Sequence, residues 1–128
     1  LPNNIEAENL TGINIRTHEQ AIKACESISK SHPGATPLIT LAQEGVAVSF
    51  DNNTKILKSF EVDVIDTTGA GDAFIAGLAI SITEGNNFLD ACNFAIATAA
   101  LSVTKKGAQT SMPNRRSVEE FLKTFIKP

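Results

Sequence analysis

The 128-residue chain has no tryptophan, no tyrosine, one methionine and two cysteines. With seven phenylalanines as its only aromatic residues, it must build a core mostly from Ile, Leu, Val and Ala. Cys25 and Cys92 are far apart and form no C-x-x-C pair. They read as reduced core residues of a cytoplasmic protein rather than as a disulfide or metal framework. Positive charge is not in excess. The net charge of −3 leaves no footprint for nucleic acid or an anionic membrane surface. No apolar run reaches the ~18 residues of a spanning helix. The opening Leu1-Pro2-Asn3-Asn4 is neither basic nor followed by an apolar stretch, so it does not read as a signal peptide. The only methionine is Met112, and the opening reads as a cut made just after a strand of a longer protein.

What is present is ordinary for one soluble domain over residues 1–128: 42% apolar and 20% charged residues. Asn3 to Glu6 open a short helix that stops at Gly12. Thr17-His18-Glu19-Gln20 has the spacing of a capping box. It starts a helix with Ala21, Ile22, Ala24, Cys25 and Ile28 on its apolar face, ending at Ser31-His32-Pro33-Gly34. Pro37–Leu41 reads as a buried strand, Val46–Phe50 as an alternating one, and Asp51-Asn52-Asn53 as a turn. Lys55–Lys58 and Val62–Ile65 give two more short strands. Gly69–Glu84 is the strongest helix, with Phe74, Leu78 and Ile82 on one face and Ile75 and Ala79 beside them. Gly85 closes it, and Asn86 or Asn87 caps the next helix, Phe88 to about Val103, apolar nearly all round and so buried. A loop of Lys105-Lys106-Gly107 with Met112-Pro113 follows. Ser117-Val118-Glu119-Glu120 spaces a further capping box before a helix with Phe121, Leu122 and Phe125. Strands mixed with helices predict a three-layer α/β/α domain of Rossmann-like type. In such sheets ligands bind at the carboxyl ends of strands. That points to the junction of Val62–Ile65 with the helix that follows.

The junction reads Asp66-Thr67-Thr68-Gly69-Ala70-Gly71-Asp72-Ala73-Phe74. A helix N-terminus carries unpaired N–H groups and partial positive charge. Glycines there let backbone approach a ligand closely, so the segment suits phosphate oxygens. A dinucleotide fingerprint would need glycine at position 74, which is Phe74, and a P-loop would need a Gly-Lys pair, which does not occur. What remains is an anion pocket with a carboxylate, Asp72, beside it. Asp72 either takes a proton from a hydroxyl attacking phosphorus or merely favours the helix dipole as a cap.

Asp66–Phe74 resembles the C-terminal signature of the ribokinase family, the phosphofructokinase-B-type carbohydrate kinases. Three further segments resemble the family in the same order: Asn3–Gly12, Leu38–Leu41 with Gly45-Val46, and Ala99–Ser111, the last closest to ribokinases proper. The resemblance implies the C-terminal half of a ribokinase-like α/β/α fold, without the N-terminal sugar-binding part and β-sheet lid. It implies ATP-dependent phosphorylation of a pentose, D-ribose to ribose 5-phosphate first, in the cytoplasm. The alternatives are a fructose, ketodeoxygluconate or nucleoside kinase, an inactive nucleotide-binding fragment, or a scaffolding domain whose glycine loop is only a turn. Asp72 would be the general base, with amides of Gly69, Ala70 and Gly71 as the anion hole. Asn3 and Glu6 would face the phosphates and organise Mg²⁺ and its waters, their other reading being a local capping pair. Thr40, Leu41, Ala42, Gln43, Glu44 and Gly45 would line the nucleotide, or form an ordinary hairpin connection. Gly71, Asp72 and Ile96 would also meet it. A monovalent cation, K⁺, would sit by Asp66, Thr68, Ser102, Lys105, Gly107 and Ser111, mostly on backbone carbonyls; Asp66 is otherwise a turn residue. Two positions depart from the family: Ala42, where glycine is usual, and Ile96, where His or Asn is common near the adenine. His18 and His32 lie outside every motif and are expected to face solvent. The parent is expected to be a homodimer. The chain alone is expected to self-associate through apolar surface left uncovered.

Overall fold

The structure, a computed structural model, describes residues 1–105 and 113–126, with side chains through residue 124. Contacts divide the chain into two compact units, Leu1–Lys58 and Ser59–Pro128.

The first unit is a three-stranded antiparallel sheet with two helices. Helix α1 (Asn4–Thr11) starts at a full capping box: Asn3 Oδ1 accepts from the Glu6 amide at 2.8 Å and Glu6 Oε1 accepts from the Asn3 amide at 2.9 Å. Gly12, left-handed at φ 73°, ends it. Helix α2 (His18–Ser31) has the expected box between Thr17 and Gln20, and it buries Ala21, Ala24 and Cys25. Strands β1 (Leu38–Thr40), β2 (Val46–Phe50) and β3 (Asn53–Leu57) lie in the order β1-β2-β3. The β1–β2 register pairs Leu38 with Val48 and Thr40 with Val46. Asp51 and Asn52, at φ 54° and 61°, make the two-residue turn into β3. Such turns match strand twist when both central residues are left-handed, which Asp and Asn tolerate. Ala7, Ile15, Ala21, Ala24, Cys25, Ile39, Leu41 and Ala47 form one buried cluster. Its aliphatic and small-residue make-up is what the scarcity of aromatics demanded.

The second unit is helical among the described residues. Helix α3 (Ala70–Thr83) ends at Glu84 and Gly85, the latter at φ 84°. Helix α4 (Phe88–Ser102) is capped by Asn87, whose Oδ1 accepts from the Asp90 amide at 2.9 Å. As expected it is largely buried, from Ala91 and Cys92 through Ala95–Thr98 to Ala100 and Ser102. Helix α5 (Arg115–Ile126) buries Val118 and sets Phe121 edge-on to Phe60, with ring centroids 5.1 Å apart. An Arg115–Glu84 ion pair ties its start to the end of α3.

Three expectations need correction. Val62–Ile65 is not a strand. A strand exists only through a ladder, and the Ile65 and Asp66 amides instead donate to the Val103 carbonyl, at 2.7 and 3.1 Å. Helix α5 begins before Ser117: Asn114 Oδ1 accepts from the Ser117 amide at 2.8 Å, so asparagine is the cap. Of the expected apolar face of α3, Phe74 is buried, but Ile75 and Ile82 are about half exposed, and the rest of the buried stripe is Ala73, Gly77 and Ser81. Small residues face α4 because the two helices approach closely at Gly77. The expected loop over residues 106–112 and the Phe125 side chain lie outside the described residues.

Candidate functional site

Helix α3 begins unlike the others. Its N-cap is Gly69, left-handed at φ 80°, with no side chain to accept from the first amides. Ala70 N–H donates to the Thr67 carbonyl at 3.2 Å and Ala73 N–H to the Gly69 carbonyl at 2.9 Å. Among the described residues, the Gly71 and Asp72 amides have no backbone acceptor. They are orphan donors at the positive end of a 14-residue helix, the arrangement that receives an anion. A Cβ built on Gly71 would meet nothing within 4 Å, so the space above this turn is open.

Asp72 stands at the third helical position. The residues at the same position of α1 and α2, Glu6 and Gln20, reach back to close their capping boxes. In α4, Asp90 Oδ2 accepts from its capping Asn87 at 2.9 Å. Asp72 makes no such bond and is exposed. The capping role therefore lacks its hydrogen bond here, and the carboxylate stands beside unpaired amides.

Asp66 Oδ1 accepts from the Thr68 amide at 2.9 Å, a turn that shapes the approach to Gly69. Its own amide bonds the Val103 carbonyl, which follows Ser102 directly. Of the six expected cation positions, Asp66 is thus bonded to the end of α4 beside Ser102, Thr68 is bonded to Asp66, and Lys105 follows α4 in the chain; Gly107 and Ser111 lie outside the described residues. Ser102 is buried and its hydroxyl donates to the Ala99 carbonyl at 2.7 Å, so its side chain is occupied. No cluster of three or more His, Cys, Asp or Glu able to hold a metal occurs among the described residues. A carbonyl-lined cation site would not need one. Ile96 is 3% exposed, within the packed part of α4.

In the first unit, the nucleotide-loop candidates sit at the β1–β2 connection. Ala42–Glu44 form a single 3-10 turn, with Leu41 N–H on the Gly45 carbonyl at 2.8 Å. The hairpin reading of this segment is therefore correct as geometry. Ala42, Gln43 and Glu44 are nonetheless exposed, while Leu41 and Gly45 are buried. Ala42 has φ 53° and Gly45 φ 111°, ψ −138°. The departure from the family's usual glycine thus falls on a left-handed residue, where a Cβ is strained. Asn3 forms a parallel bridge to Thr40, and Thr40 N–H donates to the Pro2 carbonyl at 3.0 Å. Asn3, Glu6 and the loop therefore belong to one edge of this unit. The capping box uses Asn3 Oδ1 and Glu6 Oε1; Glu6 is exposed.

His32 is exposed, as expected. His18 is not simply solvent-facing. Its Nε2 is covered, has no hydrogen-bond partner, and lies 3.4 Å from Glu44 Oε1. Reading along the chain missed this pair because nothing local in the sequence links α2 to the loop after β1. Cys25 and Cys92 are buried free thiols, as expected. No helix among the described residues is long and apolar enough to cross a membrane.

A profile of the pfkB family carbohydrate kinases matches residues 1–115. The chain is 45% identical over 121 residues to a ribokinase of Haemophilus influenzae, covering 94% of this chain and 39% of that protein. The solved structure of Arabidopsis thaliana ribokinase complexed with ribose and ATP superposes with a TM-score of 0.83 at 36% identity, covering 95% of this chain and 39% of that one. A fructokinase from Vibrio cholerae, solved with fructose, ADP and calcium, has a TM-score of 0.78 at 32% identity over 94% of this chain and 39% of its own. The chain therefore spans about two fifths of the relatives it matches.

Proposed function

The chain belongs to the pfkB family of carbohydrate kinases and has part of the ribokinase-like α/β fold, and from that premise we propose that the intact protein moves the γ-phosphoryl group of ATP onto the primary hydroxyl of a pentose, D-ribose first. The observation that carries the proposal is the start of α3: open amides at Gly71 and Asp72 beside an exposed carboxylate with no capping bond. Charge spread over a transferring phosphoryl group is stabilised by fixed donors that need not reorganise. The Gly71 amide meets that need as it stands. Gly69 and Ala70 complete the proposed anion hole, with Ala70 giving up its turn bond to Thr67. Asp72 accepts the proton of the attacking hydroxyl, which increases the nucleophilicity of the oxygen as the P–O bond forms.

Thr40–Gly45, and Asn3 with Glu6, would meet the nucleotide. A bound Mg²⁺ would neutralise phosphate charge, held through water near Glu6 and Asn3, whose oxygen donors suit a hard, hydrated cation. A bound K⁺ would fix the loop by Asp66, Thr68, Ser102 and Lys105 and take no part in bond making. The protein is proposed to work in the cytoplasm as a homodimer.

The likeness to a fructose-bound fructokinase favours a second reading, in which the sugar is a hexose. The test is ADP formation by the full-length protein with ribose, fructose and a nucleoside in turn. Ribose should give the highest kcat/KM. The chain of 128 residues alone should give little or no turnover, since losing substrate positioning removes much of any rate enhancement. ADP formation indifferent to every sugar would overturn the proposal.

A further inference from the structure

His18 opens α2, and Glu44 closes the 3-10 turn of the loop proposed above to meet the nucleotide. The two line one small pocket with Asn4, Arg16 and Leu41. The imidazole is partly open, with its side chain 43% exposed, yet its Nε2 is covered and faces Glu44 Oε1 at 3.4 Å. This is ion-pair reach without hydrogen-bond geometry. The loop needs such an anchor. Ala42 is held left-handed at φ 53°, and although Leu41 N–H to Gly45 O at 2.8 Å closes the base of the loop, Gly45 N–H reaches Ala42 O only at 3.3 Å. A turn strained at one residue keeps one shape only where its surroundings restrain it.

We propose that the His18–Glu44 pair is a positioning device for the nucleotide loop, restraining Ala42–Gly45 in the shape that receives ATP. His18 touches neither nucleotide nor sugar in this account. It acts through Glu44, and the inference rests on the nucleotide reading of the loop. The pair is half open to solvent, so its effect is modest, on the order of a two- to five-fold change in apparent affinity.

The test is made in the full-length protein with His18→Leu, Glu44→Gln and the charge-exchanged double variant His18→Asp with Glu44→Arg. His18→Leu should raise the KM for ATP by about two- to five-fold, with kcat changing less than KM. The exchanged pair should bring KM back toward the wild-type value, below that of either of its component single substitutions. Amide exchange at Glu44 and Gly45, followed without turnover, should quicken in His18→Leu. A KM for ATP and an exchange rate both unmoved by His18→Leu would overturn the inference while leaving the nucleotide reading intact. An exchanged pair no better than its components would also overturn it. Failure of the wild-type protein to bind ATP at all would remove the nucleotide reading and this inference with it.

Discussion

At the scale of single residues, Ala42 shows how a backbone angle gives a sequence departure its meaning. A side chain at φ 53° carries left-handed strain of about 1 kcal/mol that glycine does not. Ala42→Gly is therefore expected to stabilise the chain by about 0.5–1 kcal/mol, read as a higher urea midpoint. The same change in a right-handed turn would destabilise. The two thiols offer a second residue-scale expectation. Burial pushes both Cys25 and Cys92 up to about 11; beside Cys25, Glu26 adds to the rise and a backbone contact at Ser49 opposes it. Cys25 donates its S–H to the Pro37 carbonyl at 3.4 Å, which suits the neutral form. A thiol with a raised folded-state pKa keeps its proton after the unfolded chain has lost it. The unfolded state then binds fewer protons, so stability falls as pH rises from the ordinary thiol range toward about 11. Denaturant titrations from pH 8 to pH 11 should show that loss, and alanine at both positions should flatten it.

At the scale of elements, the helices were largely legible in the sequence and the strands only in part. Asn3 with Glu6 and Thr17 with Gln20 announce their helices through contacts three residues apart, and both boxes are present. The Asp51-Asn52 turn is equally local. Val62–Ile65 has the composition of a strand, but pairing depends on a neighbour that composition does not reveal. The facing side of α3, correct at Phe74, was otherwise misread for a related reason. Hydrophobicity favours its isoleucines, whereas closeness to α4 selects Ala73, Gly77 and Ser81. A Cβ at Gly77 would stand 2.7 Å from Thr98 Oγ1 and 3.1 Å from Ala95 Cα. Gly77→Ala would gain about 1 kcal/mol from helix propensity elsewhere. Here it should lose about 1–3 kcal/mol, because the backbone of α4 must move. A lowered melting temperature with unchanged helix content would meet that expectation; a raised one would mean the helices separate without cost.

At the scale of the whole molecule, the candidate site was legible because its chemistry is concentrated in one short segment, Asp66–Asp72. In the proposed account that segment would act through backbone amides and one carboxylate, so the pattern of glycines carries most of the information. What stayed illegible was the contact of His18 with Glu44, which only folding brings together. The phosphoryl-transfer account has a single critical group. Single-turnover phosphorylation by the full-length protein carrying Asp72→Asn, measured beside its ATP affinity, tests that group most directly. The account predicts that the chemical step slows by about 10²–10⁴-fold while ATP binds about as well as before. A step that runs at the wild-type rate would contradict it.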